Sequence, residues 1–230
     1  MVIDVLTLFP SMFKSVISES ILKRAQEKEL VDINLHDLRG WTSDKRGTVD
    51  DRPFGGGPGM VLKPEPIFKA LNELRREDSY VILLGPSGKR LEQSYLVKLR
   101  SRNHIILICG HYEDVDERVK KYLIDQEVSV GDYILTCGEL PAMIVIDSLV
   151  RLLPDVLGNK DANERESFNR GLLEYPQYTR PAGFNGWSVP DVLLSGDHKE
   201  IEQWRFEKSL EKTERLRPDL YDNFKKNNKI

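Results

Sequence analysis

The sequence is poor in the residues that mark disulfide-rich and metal-binding proteins. Its 230 residues include two cysteines and four histidines. Two thiols do not make a disulfide framework, and the histidines are scattered without the spacing of zinc ligands. We therefore expect no metal site built on histidine. We also expect Cys109 and Cys137 to be buried thiols in a reducing compartment.

The sequence pattern also lacks a signal peptide and a membrane span. The amino terminus has no basic segment that leads into a signal-like apolar stretch. The apolar runs are far shorter than the ~20 residues that cross a bilayer. The formal net charge is -3, so any contact with RNA must come from local basic patches. The sequence therefore predicts a cytoplasmic protein that makes no use of a membrane.

Strands and helices alternate through the first two thirds of the chain. Apolar runs and alternating patterns predict strands at residues 2–9, 31–35, 80–84, 104–109 and 125–129. Apolar residues at helical spacing predict helices at residues 11–28, 66–76, 93–100, 116–122 and 140–153, with Ser11 capping the first. A long irregular stretch, residues 39–64, interrupts the series. The alternation predicts an α/β fold with a mainly parallel sheet.

The pattern changes after Pro154, where strand and helix alternation stops. Residues 158–165 show no apolar periodicity and predict a flexible linker. We therefore divide the chain into a domain of residues 1–157, a linker of residues 158–165 and a small helical domain of residues 166–230.

Within the carboxyl-terminal domain, residues 173–194 are rich in proline, glycine and aromatic residues and predict an irregular, anchored segment. Asp197 precedes a charged helix that we expect to run to about Arg217, where Pro218 stops it. The lysines at the end of the chain predict a solvated tail rather than a binding arm: Lys225, Lys226 and Lys229.

Three consecutive predicted strands end in glycine-bearing segments. These segments are Gly85-Pro-Ser-Gly88, Gly110-His-Tyr-Glu113 and Val130-Gly-Asp-Tyr133. Ligands of α/β proteins bind at the carboxyl ends of strands, and glycine lets the backbone approach a ligand closely. The alternative is that these glycines are ordinary turn residues. Because three segments share the pattern, we favour a single cofactor pocket.

Two further glycine runs resemble nucleotide-binding motifs only superficially. Gly85-Pro-Ser-Gly-Lys89 lacks the earlier glycine of a phosphate-binding loop and has Arg90 where a magnesium-binding hydroxyl is needed. Gly55-Gly-Gly-Pro-Gly59 has the wrong spacing for a dinucleotide fingerprint, and no strand directly precedes it. Neither run supports a kinase or a dinucleotide enzyme.

The segment from Asp50 to Gly59 has its own chemical interpretation. Its glycines let a backbone lie flat against a base or a phosphate, while Arg52 supplies a bidentate donor and Asp50 an acceptor. The alternative is a glycine-rich turn that an Asp-Arg pair holds in place. The residues alone leave both interpretations open.

Long motifs in this chain closely resemble the bacterial tRNA (guanine-N1)-methyltransferases of the TrmD family, members of the SPOUT class. The resemblance rests on Thr48-Val-Asp-Asp-Arg-Pro-Phe-Gly-Gly-Gly-Pro-Gly-Met60, Cys109-Gly-His-Tyr-Glu113, Asp116-Glu-Arg118, Val130-Gly-Asp-Tyr-Ile-Leu135 and Gly138-Glu-Leu-Pro-Ala142. It continues through Arg151, Ser167-Phe168, Tyr178-Thr-Arg-Pro181, Val192-Leu-Leu-Ser-Gly196 and Trp204-Arg205. Essentially the whole chain is covered, in order.

The resemblance implies a SPOUT-type fold with a deep trefoil knot in the first domain. It implies a homodimer with a shared active site, and S-adenosylmethionine as the methyl donor. The small second domain and the linker would clamp the anticodon stem-loop of tRNA. The product would be N1-methylguanosine at tRNA position 37, just 3′ of the anticodon. The alternatives are a SPOUT methyltransferase acting on another RNA nucleotide and a non-catalytic RNA-binding member of the fold.

The resemblance also assigns residues to the cofactor and to RNA. The cofactor-binding residues would be Leu84, Gly85, Pro86, Gly110, His111, Tyr112, Glu113, Val130, Gly131, Asp132, Tyr133, Ile134, Leu135, Cys137, Gly138 and Pro141. The RNA-binding residues would be Asp50, Arg52, Gly55, Gly59, Ser195 and Arg205.

The same resemblance suggests three catalytic residues. Arg151 is assigned to stabilise charge on guanine O6, Glu113 to hold either Arg151 or a magnesium ion, and Glu166 to act as general base. The family usually has aspartate before the Ser-Phe pair, so Glu166 adds one methylene at that position. Cys137 stands where the family commonly has glycine.

Overall fold

The computed structural model describes residues 1–158 and 166–228. Most of the linker predicted from the sequence, residues 159–165, and the predicted tail residue Lys229 lie outside the described residues. The chain divides into two compact units, Met1–Gly158 and Asn159–Ile230. In the described part of the chain, no helix is long and apolar enough to cross a membrane.

The first unit is built on a five-stranded sheet in which every pairing is parallel. Its strands are β1 (Val2–Thr7), β2 (Asp32–Asp37), β5 (Ser79–Arg90), β6 (His104–Cys109) and β8 (Gln126–Ser129), in the order β2-β1-β6-β5-β8. All six residues of β6 are buried, as expected for a central strand covered on both faces. The predicted α/β class and mainly parallel sheet are confirmed.

Helices cover both faces of this sheet. They are α1 (Lys14–Ile17), α2 (Ser20–Glu27), α3 (Pro64–Leu74), α4 (Gln93–Leu99), α5 (Glu117–Tyr122) and α6 (Glu139–Val150). Successive strand residues point to opposite faces, so Ile105 and Leu107 join one hydrophobic core while Ile106 and Ile108 join the other. The two cores hold Leu84 of β5 beside the carboxyl ends of β6 and β8.

A second, small sheet connects the glycine-rich segment to the end of β6. It consists of β3 (Asp50–Asp51), β4 (Val61–Leu62) and β7 (Asp114–Val115). The β4 strand pairs antiparallel with β3 and parallel with β7. Residues 52–60 therefore form a loop whose base lies beside the segment that follows β6. The predicted irregular stretch thus contains two short strands, together with a 3-10 helix at Leu38–Trp41.

The prediction of one continuous first helix over residues 11–28 is wrong. The chain forms a 3-10 turn at Pro10–Phe13, then α1, then α2. Phe9 occupies the capping position without a side-chain bond, so Ser11 is not the cap. The break lies at residues 18–19, and Ser20, the first residue of α2, has a left-handed backbone with φ of 48°. Phe13 and Leu22 from the predicted apolar stripe are buried, whereas Val16 is exposed.

The predicted end of the third strand at residue 84 is also wrong, because β5 continues to Arg90. Its pairing with β8 shifts register between Leu84 and Lys89, so residues 85–88 form an irregularity within the strand instead of a loop. Gly88 makes this possible: a Cβ there would lie 2.4 Å from the backbone nitrogen of Val128. Residues 85–89 therefore do not form the loop before a helix that a phosphate-binding motif requires.

The second unit contains a two-stranded hairpin and two helices. Its elements are β9 (Gly183–Phe184), β10 (Trp187–Ser188), α7 (His198–Leu216) and α8 (Pro218–Asn228). Asp197 caps α7 by accepting from the backbone nitrogens of Lys199 and Glu200, which confirms the predicted helix start. Pro218 begins a second helix, as its fixed φ permits, so the predicted tail lysines Lys225 and Lys226 are helical, and Lys226 is exposed.

The predicted irregular segment of this unit is anchored to α7. The hydroxyl of Thr213 accepts from the Leu173 nitrogen at 2.9 Å, and the hydroxyl of Ser209 donates to the Leu173 oxygen. Both hydroxyls are buried. These side-chain hydrogen bonds satisfy backbone groups of Leu173 that regular secondary structure would otherwise pair.

Candidate active site

The irregular middle of β5 and the carboxyl ends of β6 and β8 meet at one cleft. Its walls come from residues 84–86 of β5, from the segment after β6 and from the segment between β8 and α6. The lining residues are Leu84, Gly85, Pro86, Gly110, His111, Tyr112, Glu113, Asp114, Val128, Ser129, Val130, Gly131, Tyr133, Ile134, Leu135, Thr136, Cys137, Gly138 and Pro141. The structure thus brings together the three glycine-bearing segments that the sequence singled out.

Backbone contacts hold two of these segments against each other. The nitrogen of Gly138 donates to the oxygen of Gly110 at 2.7 Å, and His111 and Cys137 form an antiparallel bridge. A Cβ at Gly138 would lie 2.5 Å from the nitrogen of Gly110. Only glycine allows this approach, so the two segments form one rigid wall of the cleft.

Tyr112 carries backbone strain at the mouth of the cleft. Its φ is 61°, a left-handed conformation that a bulky residue rarely adopts. Its nitrogen donates to Nδ1 of His111 at 2.9 Å, and the two rings lie 4.6 Å apart. The His111 ring also contacts Phe9, at 5.3 Å between ring centroids. Strain of this kind persists where the surroundings fix it, and it is common at ligand sites.

A buried polar cluster that the sequence did not reveal adjoins the cleft residues Gly110 and Gly138 in the chain. Glu139, at the start of α6, is fully buried, and its Oε1 accepts from the hydroxyl of Thr7 at 2.6 Å. The same hydroxyl accepts from the nitrogen of Phe9. Burial, together with the nearby Glu139, raises the pKa of the Cys109 thiol well above its usual range. Cys109 is therefore an inert packing thiol.

Glu113 joins the cleft to the glycine-rich loop. Its nitrogen donates to the oxygen of Met60 at 3.0 Å. A Cβ at Gly59 would lie 2.2 Å from Oε1 of Glu113, so the carboxylate packs directly on the glycine. Gly59 also has a φ of 78°, which a side chain would strain. One end of the loop is thereby fixed beside the cleft.

The rest of this loop is exposed and makes few contacts with its own unit. Gly55, Gly56 and Gly57 all have positive φ, and a Cβ at any of them would meet nothing within 4 Å. Phe54 is 100% exposed, and Arg52 is exposed as well. Among the described residues no ion pair joins Asp50 to Arg52, so the alternative of a turn held by that pair is not supported.

The remaining predicted site residues lie in different elements. Arg151 follows the last residue of α6, where it is half-buried and its nitrogen donates to the oxygen of Asp147. Glu166 belongs to the second unit and begins a turn in which its oxygen accepts from the nitrogen of Asn169. In the same unit Ser195 is exposed, and the Arg205 guanidinium lies 4.9 Å from the centre of the Tyr175 ring.

The cleft contains nearly all of the residues predicted to bind the cofactor. Asp132 is the exception, since it is exposed and does not line the cleft. Sequence reasoning missed Asp114, Val128, Ser129 and Thr136, which lie next to predicted residues in the chain. The described residues include no group of three or more side chains suited to a metal ion.

Taken together, the parallel sheet and the glycine-walled cleft define an α/β protein with a candidate ligand site. Comparison of the sequence with known families then identifies the family. The family model described as tRNA (Guanine-1)-methyltransferase TrmD matches residues 1–223. The chain belongs to this family, and with it to the SPOUT class.

Curated relatives agree with this assignment over nearly their whole length. A tRNA (guanine-N(1)-)-methyltransferase of Dictyoglomus turgidum is 56% identical over 220 residues, covering 96% of this chain and 89% of the relative. The protein of the same name from Geobacillus kaustophilus is 56% identical over 224 residues, covering 96% and 92%. That of Staphylococcus haemolyticus is 53% identical over 225 residues, covering 97% and 92%.

Proposed function

We propose that this protein transfers a methyl group from S-adenosylmethionine to N1 of guanine at tRNA position 37, just 3′ of the anticodon. The observation that carries the proposal is the contact between Glu113 and Gly59. This contact holds only the base of the loop beside the cleft of the same chain, and it leaves Phe54 and Gly55 to Gly57 exposed, where they would meet a base or the partner protomer. We assign the reaction to the cytoplasm, where tRNA is modified.

The walls of the cleft consist largely of backbone and apolar side chains, which suits this cofactor. A Cβ at Gly110 would lie 3.1 Å from the oxygen of Leu84, and one at Gly138 would overlap the backbone of Cys109. The site is therefore a narrow cradle of main chain, which offers N–H and C=O groups to a planar base. Tyr133 and Ile134 are exposed at its edge and add apolar surface. Small-molecule sites commonly combine apolar walls with a few directed polar groups.

The methyl transfer itself places two demands on the protein. The sulfonium of S-adenosylmethionine supplies an already activated methyl group, so no nucleophilic cysteine is needed. Guanine N1 carries a proton that a base must remove, and negative charge then develops at O6. We assign proton removal to Glu166 and O6 stabilisation to Arg151. Glu113 would orient Arg151 or hold a magnesium ion.

Glu166 is the assignment that most needs a test, because glutamate replaces the usual aspartate. We expect Glu166→Gln to keep cofactor affinity and to slow single-turnover methylation by roughly 10²- to 10⁴-fold, the usual contribution of a positioned base. Glu166→Asp should retain substantial activity, and Glu164→Gln is the matched control in the same segment. A Glu166→Gln enzyme that methylates at the wild-type rate would mean that the base lies elsewhere.

We also propose a homodimer, with the glycine-rich loop of one protomer beside the cofactor of its partner. Leu140 and Ile144 lie one turn apart on α6 and are more than a third exposed. Phe9 and Met12, on the neighbouring amino-terminal segment, are similarly exposed. Exposed apolar side chains on neighbouring elements are typical of an interface. Light scattering should give twice the chain mass at micromolar concentration, and a fully active monomer would contradict the dimer.

The trefoil knot and the tRNA clamp belong to the same proposal. The first unit would carry the knot at the three cleft segments, as in the SPOUT class. The second unit, with exposed Ser195 and with Arg205, would contact the anticodon stem-loop.

The decisive experiment is a radiolabelled methyl-transfer assay on unmodified tRNA. The product should be N1-methylguanosine at position 37, identified by nuclease digestion and mass spectrometry. A transcript with adenosine at position 37 is the matched control and should accept no methyl group. Label at another nucleotide would identify a different SPOUT activity, and cofactor-independent RNA binding without label would indicate a non-catalytic member of the fold.

A further inference from the structure

Lys120, on α5, connects two carboxylates that belong to different sheets. Its Nζ lies 2.7 Å from Oδ2 of Asp114 and 3.6 Å from Oε1 of Glu127. The side chains of Lys120 and Glu127 are only 12% and 14% exposed. Asp114 belongs to β7 of the small sheet, and Glu127 belongs to β8 at the edge of the central sheet. One ammonium group therefore links the two sheets.

One carboxylate belongs to a residue of the cleft wall, and the other packs on the backbone of that wall. Asp114 lines the cleft and directly follows Glu113. The Glu127 carboxylate packs against Gly85, where a Cβ would lie 2.3 Å from Oε1. This oxygen is buried and accepts no hydrogen bond from the described residues. The Lys120 ammonium is thus the charge that compensates for its burial.

The charge state of Lys120 suits this arrangement. Burial alone lowers the pKa of the Lys120 amine, but its hydrogen bond to Asp114 and the charges of Asp114 and Glu127 outweigh burial, so the pKa is raised. The side chain remains an ammonium ion wherever the enzyme is folded and active. A buried charge with partners on two elements is costly to disrupt from either side.

We propose that Lys120 is a positioning residue that sets the width of the cofactor cleft. By holding Asp114 and Glu127, it fixes the distance between the segment after β6 and the backbone at Gly85. Without the ammonium, the Glu127 carboxylate is buried and uncompensated, so it turns toward water and releases Gly85. The inference rests on the proposed function, since it requires S-adenosylmethionine in this cleft.

The test compares two adjacent lysines of α5. Lys120→Met keeps the length of the side chain and removes the charge, while Lys121→Met makes the same change at an exposed position. Calorimetry with S-adenosylmethionine should show Kd about 10- to 100-fold higher for Lys120→Met, since small displacements at a tight site have effects of this order. Lys121→Met should bind like the wild type.

Two further variants separate positioning from stability. Lys120→Arg keeps the charge and should retain most of the affinity. Lys120→Met combined with Glu127→Gln should bind more tightly than Lys120→Met alone, because no uncompensated carboxylate remains. In steady-state assays of Lys120→Met, KM for S-adenosylmethionine should rise while kcat changes by less than about threefold.

Several outcomes would overturn the inference. A Lys120→Met protein that melts earlier but binds the cofactor with wild-type Kd would make Lys120 purely structural. If Lys120→Met does not fold, Glu127→Ala decides, because it removes the side chain that packs on Gly85: weaker cofactor binding supports the inference, and unchanged binding rejects it. A wild-type protein that does not bind S-adenosylmethionine would instead reject the proposed function, and this inference with it.

Discussion

The cofactor cleft and the loop of residues 52–59 are both rich in glycine, yet the glycines serve opposite purposes. At Gly138 and Gly88 a Cβ would overlap neighbouring backbone, so glycine permits the chain to pack more closely than any other residue allows. At Gly55, Gly56 and Gly57 the surrounding space is open, and only the positive φ requires glycine. The first region is preorganised, and the second is free to adapt to what it meets.

Gly59 lies at the boundary between these two kinds of glycine. It has the positive φ of the loop, yet the Glu113 side chain occupies the space where its Cβ would be. Substitutions at a cleft glycine, at Gly59 and at an exposed loop glycine therefore test whether the cleft and the loop have the separate roles that we propose.

The largest effect is expected for Gly138→Ala. The added Cβ would lie 2.5 Å from the nitrogen of Gly110, and neither backbone can move without breaking the bond between the two segments. Overpacking of this kind typically costs about 1–3 kcal/mol, and more where backbone blocks relaxation, so Kd for S-adenosylmethionine should rise by roughly 100-fold. Gly40→Ala is the control, because a Cβ there meets nothing within 4 Å. Equal affinity in the two variants would refute a backbone-lined cofactor site.

A smaller and more selective effect is expected for Gly59→Ala. The methyl group would displace the Glu113 carboxylate while leaving the Gly110–Gly138 contact in place. We expect single-turnover methylation to slow about 10- to 100-fold, the range for a group misplaced by about 1 Å. Cofactor Kd should change much less.

Gly56→Ala is the comparison for Gly59→Ala, since its backbone strain is similar but its surroundings are open. If both variants slow the reaction equally, then loss of loop flexibility, and not displacement of Glu113, is responsible.

The smallest perturbation is chemical labelling of the two cysteines. Cys109 is buried and its pKa is raised by burial and by nearby Glu139, so its reactive thiolate is scarce. Cys137 is only partly buried and lines the cleft. We expect iodoacetamide to modify one thiol per native chain, and saturating S-adenosylmethionine to slow that reaction. Cys137→Ser should abolish labelling, which mass spectrometry can verify. Modification of Cys109 in the native protein would contradict its packing role.

Elements that are determined by a local sequence pattern were predictable, whereas those that depend on a single backbone conformation or on a distant partner were not. Strands such as His104–Cys109 were predictable because alternating or continuous apolar runs have few other solutions. The first helix was not, since its break depends on one left-handed residue, Ser20, which carries no strong propensity signal. Likewise, β5 continues past Gly85 only because β8 supplies a partner for Lys89 and Arg90.

The sequence by itself determined the α/β class, the family and nearly the whole set of residues around the cleft. These depend on local patterns and on motifs that are contiguous along the chain. Only the tertiary structure decided that Glu113 packs on Gly59, that Thr7 bonds to Glu139, and that Lys120 joins Asp114 to Glu127. Glu113 and Gly59, like Thr7 and Glu139, are distant in the chain, and Lys120 lies on a different element from each of its two partners. Their contacts exist because parallel strands bring them to one edge of the sheet, where burial makes each charge require a partner.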